Sequence, residues 1–155
     1  MAFRFATSGT KTVANNISDE DDREDMPPHL ASKLKIHQVD GIRFLMKKIM
    51  RAGGGCGAIL ADEMGLGKTL QIICMIILYI ALRLKDPNQR AITKVLIVVP
   101  VSLIDNWMAE FKRWSQLSPL VLGSKDTPHS ERRLRVLSKW AEEGGVLIVG
   151  YEYYM

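Results

Sequence analysis

Cysteine is scarce in this sequence. Only Cys56 and Cys74 occur in 155 residues. Their spacing matches no metal-ligand pattern and no secretory context accompanies them, so they read as reduced thiols of an intracellular protein. The first twelve residues lack an apolar core long enough for a signal peptide. A membrane span is also missing. The most apolar stretch, residues 70–84, is free of charge only from residue 70 to residue 82, short of the roughly 20 residues a bilayer requires. Disulfide scaffolds, secreted proteins and membrane-spanning proteins are therefore not expected.

Acid is unevenly placed. Six of the 17 acidic residues fall within residues 19–25, closed by Pro27 and Pro28. Residues 1–28 carry only three basic residues, Arg4, Lys11 and Arg23, and read as a disordered acidic tail that solvates or meets a partner. The remaining residues hold 18 basic against 11 acidic side chains, an excess that suits a polyanionic partner such as nucleic acid or simply a basic, soluble surface. Charge alone leaves both open. Residues 29–155 are long enough for one domain.

The stretch around which that domain is organised is Gly57-Ala58-Ile59-Leu60-Ala61-Asp62-Glu63-Met64-Gly65-Leu66-Gly67-Lys68-Thr69-Leu70-Gln71. A short apolar run, read as a buried strand over residues 57–61, enters a glycine turn ending in Gly-Lys-Thr, and an apolar helix follows. That order is the strand–loop–helix of a phosphate-binding loop. Gly65 and Gly67 leave the backbone N–H groups free to curl around an anion. A helix starting near Lys68 points its positive dipole end at the same place. Lys68 supplies an ammonium for β- and γ-phosphates, and Thr69 a hydroxyl for Mg²⁺. Asp62 stands where the general pattern has its first glycine.

The surroundings read as α/β. Ile42, Leu45, Met46 and Ile49 recur at helical spacing, with Lys47, Lys48 and Arg51 on the other side. Residues 70–84 suit a helix buried between a parallel sheet and another layer. Gly53, Gly54 and Gly55 form a link, and residues 86–90 a turn. Residues 95–99 are a continuous β-branched run stopped by Pro100, as in a central parallel strand. Ser102 is placed to cap the next helix, on which Leu103, Trp107, Phe111 and Trp114 share a face. Residues 119–122 read as a weaker strand, residues 130–140 as a basic helix ended by Gly144 and Gly145, and residues 146–149 as another buried strand.

The segment Asp62-Glu63-Met64-Gly65-Leu66-Gly67-Lys68-Thr69-Leu70-Gln71 resembles motif I of the Swi/Snf-type chromatin-remodelling ATPases, members of helicase superfamily two. Leu34-Lys35-Ile36-His37-Gln38-Val39-Asp40-Gly41-Ile42-Arg43-Phe44-Leu45 resembles the adenine-reading motif that precedes it in that family, with Ile36 replacing the usual proline. Gln38 carries the chemistry, because an amide donates and accepts at once and so matches adenine's edge. Pro100 to Trp114 resembles motif Ia, and Gly150-Tyr151-Glu152-Tyr153-Tyr154 resembles motif Ib, with the ATRX-like branch closest. The resemblance spans about residues 30–155. It implies a P-loop NTPase (RecA-like) parallel sheet with flanking helices, present as an incomplete lobe.

The resemblance further implies ATP and Mg²⁺ as cofactors, held by Gln38 and by Asp62, Glu63, Met64, Gly65, Leu66, Gly67, Lys68 and Thr69, with Mg²⁺ on the Thr69 hydroxyl. Double-stranded DNA or chromatin is the implied partner, its backbone touched by Ser102, Asn106, Gly150 and Tyr151, and a nuclear location follows. The family's next motif, Asp-Glu-x-His, which positions Mg²⁺ and the attacking water, does not occur in these 155 residues, nor does a second lobe. The chain is thus expected to be the ATP-binding part of a DNA-dependent ATPase that does not hydrolyse ATP alone. An open sheet flank is expected to leave it marginally stable or dependent on a missing second lobe or protein partner. Two other readings stand beside it: a truncated, non-catalytic nucleotide- or DNA-binding protein that competes for partners, and an unrelated small-molecule kinase.

Overall fold

The computed structural model describes residues 28–49, 57–85, 94–123 and 130–154. Most of the acidic tail, the link at Gly53–Gly55, Cys56 and the turn at 86–90 lie outside the described residues, whereas Pro28 already begins a helix. In chain order the elements are α1 (Pro28–Ala31), α2 (Ile36–Ile49), α3 (Lys68–Lys85), β1 (Lys94–Val99), a 3-10 turn (Val101–Leu103), α4 (Ile104–Trp114), β2 (Leu120–Leu122), α5 (Ser130–Glu143), β3 (Gly145–Gly150) and α6 (Tyr151–Tyr154).

β3 lies between β1 and β2, and both pairs are parallel. The register sets Val99 opposite Gly150 and Leu122 opposite Val149. Because successive side chains alternate across a strand, β3 serves two apolar layers. Val146 and Ile148 join the main core with Ile97, Val99, Ile73, Ile77, Ile104 and Phe111. Leu147 and Val149 join Leu122, with Val136 and Trp140 of α5 and Tyr153 of α6 packed against them. Helices α2, α3 and α4 thus share one face of the sheet with α1, and α5 covers the other.

The apolar character of α3 is explained by its place. Helices α2 and α4 both pack against it, and Ile73, Cys74, Ile76, Ile77, Leu78, Ile80 and Ala81 are buried. No helix among the described residues is long and apolar enough to cross a membrane. α2 buries Val39, Ile42, Leu45 and Met46, the face its periodicity predicts. α5 ends where Gly144, at φ 74°, turns the chain and donates from its N–H to the Trp140 carbonyl at 3.0 Å, a glycine stop of the usual kind.

Three expectations are corrected. Residues 57–61 form no strand. Ile59 is 84% exposed, and among the described residues the sheet is formed by β1, β2 and β3. A strand is stable only when its N–H and C=O groups meet a neighbour, and no described strand pairs with this run. Ser102 does not cap α4: it sits within the 3-10 turn, and Leu103 occupies the cap position without a side-chain bond. The turn is closed by backbone bonds instead, Leu103 N–H to the Pro100 carbonyl at 2.9 Å and Ile104 N–H to Val101. That turn also shifts the phase of the helix. Leu103 is 44% exposed and Ile104 takes the core position expected of it, with Phe111 fully buried below.

Candidate functional site

The glycine loop has the backbone its sequence demands. Gly65 and Gly67 adopt φ of 87° and 82°, a left-handed conformation that side chains oppose. The loop delivers the chain to Lys68, the first residue of α3, so the helix N-terminus and its dipole face the loop. Lys68 reaches back across it: Nζ donates to the Asp62 carbonyl and to the Glu63 carbonyl, each at 2.7 Å. The ammonium therefore lies inside the curl of residues 62–68. Thr69 follows it, half-buried. Glu63, Met64, Gly65 and Leu66 are exposed, with Met64 at 96%, so the crest of the loop is open to a ligand.

α2 fastens the loop from one side. Gln38 is buried, and its Nε2 donates to the Leu66 carbonyl at 3.1 Å. Its Oε1 accepts from the Lys35 N–H at 3.0 Å, capping the helix start. His37 Nε2 lies 3.4 Å from the same Leu66 carbonyl. The approach is so close that a Cβ on Gly67 would overlap Gln38 Nε2. A glutamine amide has two N–H groups and two lone pairs on its oxygen. One of each remains on Gln38 after these bonds.

Two features of this site were not predicted as functional: Gln71 and Gly41. Gln71 Nε2 donates to Asp62 Oδ2 at 3.0 Å, and a Cβ on Gly41 would overlap Gln71 Oε1. The available signal was a lone glutamine interrupting an otherwise apolar helix.

The other four candidates follow the carboxyl ends of strands: Ser102 and Asn106 come after β1, and Gly150 and Tyr151 close β3 and open α6. Ser102 follows β1 and Tyr151 follows β3, and both are exposed. A Cβ on Gly150 would meet Val101 Cγ2 at 2.6 Å, so the two loops touch. Asn106 is exposed in the first turn of α4. Tyr153 braces this edge: its ring lies where a Cβ on Gly123 would come within 2.5 Å, and the Arg133 guanidinium stacks 4.5 Å from its centroid. Crevices outside the carboxyl ends of parallel strands are the usual ligand sites of such sheets. No cluster of metal-ligating side chains occurs among the described residues.

Residues 37–155 match the SNF2-related domain family. The chain is 39% identical over 148 residues to Protein CHROMATIN REMODELING 20 of Arabidopsis thaliana, covering 90% of this chain and 10% of that protein. It is 43% identical over 129 residues to DNA repair and recombination protein RAD54B of Mus musculus, covering 81% of this chain and 14% of that protein. Transcriptional regulator ATRX of Homo sapiens is 34% identical over 157 residues, covering 89% of this chain and 6% of that protein. Among solved structures, the Sulfolobus solfataricus SWI2/SNF2 ATPase core in complex with dsDNA superposes with a TM-score of 0.53 at 28% identity, over 78% of this chain and 22% of that one. The chain therefore spans a small part of the length of the proteins it resembles.

Proposed function

The chain belongs to the SNF2-related domain family, and on that premise we propose that it is the ATP-binding part of a DNA-dependent ATPase that translocates on duplex DNA and remodels chromatin in the nucleus. The observation that carries this reading is the left-handed Gly65–Gly67 loop feeding the start of α3, with Lys68 turned into its curl. Lys68 leaves the Asp62 and Glu63 carbonyls to pair with the β- and γ-phosphates of ATP, which offer it full negative charge in place of dipoles. Thr69 offers its hydroxyl to Mg²⁺. When bound, the metal neutralises charge on the phosphate oxygens. Gln38 meets adenine with its remaining N–H and lone pair while it keeps hold of Leu66.

The exposed residues at the sheet edge, Ser102, Asn106 and Tyr151, together with the backbone of Gly150, are assigned to the DNA backbone, a contact that positions without reading sequence. Turnover is assigned to this chain only together with an Asp-Glu-x-His segment, which these 155 residues do not contain.

The test is binding of a fluorescent ATP analogue, with and without Mg²⁺, to the parent and to Lys68→Ala. The parent is expected to bind and the variant to lose at least about tenfold in affinity, the effect of removing a charge-assisted bond. Equal binding by both would overturn the assignment. A DNA-stimulated hydrolysis rate in the 155-residue chain that vanishes in Lys68→Ala would overturn the division between binding and turnover.

A further inference from the structure

Among the described residues two polar side chains are buried, Gln38 and Gln71. Gln38 has both ends of its amide engaged. Gln71 has not. It is fully buried on α3, three residues after Lys68 and therefore on the same side of the first turn. Its Nε2 is spent on Asp62 Oδ2 at 3.0 Å, and its Oε1 has no hydrogen-bond partner among the described residues. An apolar side chain of similar length would leave no acceptor stranded and would cost the fold less. Something other than stability is served by the amide.

We infer that Gln71 is a positioning residue for phosphate binding, which holds the Asp62 carboxylate and so sets the path of the loop around Lys68. Asp62 is the shared point: its carbonyl receives Lys68 Nζ at 2.7 Å and its carboxylate receives Gln71 Nε2. A carboxylate at the entrance of an anion site repels the anion if it turns inward. Gln71 ties it to the helix. Gly41 closes the other side. Any Cβ there would strike Oε1, so α2 packs directly against the amide and keeps it from turning away. Gln71 touches neither phosphate nor metal in this account; it acts through Asp62. The inference rests on the phosphate-binding reading and adds to it the residue that orients the acid standing where the general loop pattern has glycine.

Three variants of the full chain test it: Gln71→Met, which keeps the length and loses the donor; Gln71→Glu, which sets two carboxylates together; and Asp62→Asn with Gln71→Glu, which restores an amide–carboxylate pair in the opposite order. Amide hydrogen exchange over residues 62–69 without nucleotide, affinity for a fluorescent ATP analogue, and Tm are read for each. In Gln71→Met, Tm is expected to hold or rise, while exchange over the loop quickens and nucleotide binding weakens by about tenfold, the scale of one lost hydrogen bond to a charged group. Gln71→Glu is expected to do worse, and the double variant to recover to within about threefold of the parent. A Gln71→Met protein that exchanges and binds as the parent does, or a double variant no better than Gln71→Glu, overturns the inference. If the parent binds no nucleotide, the proposed function falls, and loop exchange alone then decides for or against Gln71.

Discussion

Gln38 on α2 donates to the carbonyl of Leu66 in the glycine loop at 3.1 Å, across 28 residues of sequence. This bond fastens the first long helix to the glycine loop. Gln38 is thus a structural fastener, and under the proposed function it also meets adenine, so changes to Gln38 are expected to alter loop order and base preference together. The bond also separates the two loop glycines in what they tolerate.

Gly65→Ala and Gly67→Ala both force a side chain into the left-handed region, at a cost of about 1–2 kcal/mol each. A Cβ on Gly65 meets open space, whereas one on Gly67 overlaps Gln38 Nε2. Gly67→Ala is therefore expected to lose roughly a further 1 kcal/mol as the Leu66 bond breaks. Urea denaturation of the two variants checks this, and equal losses would show that Gln38 does not hold the loop in solution.

The phase of α4 makes a second contrast. Phe111 is fully buried in the main core, and Phe111→Ala is expected to cost about 3–5 kcal/mol. Leu103→Ala, at a half-exposed position before the helix, should stay within roughly 0.5 kcal/mol of the parent. Comparable losses at both would mean that Leu103 packs as a continuous helix from Ser102 would place it.

Burial pushes the Cys74 thiol up to about 12. It is thus a poor nucleophile in the folded chain. Alkylation mapped by mass spectrometry should modify Cys74 at pH 8 only after unfolding. A thiol held protonated in the native state and ionising near its ordinary value when unfolded favours folding while both states are protonated. Stability should accordingly decline as pH rises from about 9 towards 12. A Cys74→Ala variant tests the origin of that decline, which should shrink in it.

At the carboxyl edge of the sheet, Ser102→Glu introduces an anion into the loop that follows β1, which touches the loop after β3 through Val101 and Gly150. It is expected to weaken binding of a labelled duplex several-fold at low salt, uniformly across sequences, because the proposed contact is to phosphate. Fluorescence anisotropy with two unrelated duplexes measures it. Ser138→Glu, at an exposed position of α5, serves as the control because it adds the same charge. An effect of the same size and sign there would remove the sheet edge from the interface.

Local chemistry was enough for much of this molecule. The glycines at 65 and 67 could only be a left-handed turn into a helix, since no other residue type enters that region as cheaply. The apolar period of α2 and the β-branched runs of β1 and β3 carry their own secondary structure, because each buried face repeats within a few residues. Lys68 and Thr69 were marked out as candidates because they adjoin the glycine turn in the chain, whereas Gln38, 28 residues from Leu66, was marked out only by the motif it sits in.

What remained undecided in the chain were features that depend on distant neighbours. Residues 57–61 are as apolar as a buried strand, yet a strand is a relation between two backbones and none of the described strands pairs with this run. Ser102 had a capping side chain, but a 3-10 turn supplied backbone bonds first and rotated Leu103 out and Ile104 in. Gln71 looked like an interruption of an apolar helix. It became a partner for Asp62 only when folding brought Gly41 of α2 against α3, because a buried amide acquires its role from whichever polar group and whichever gap in the packing the fold sets beside it.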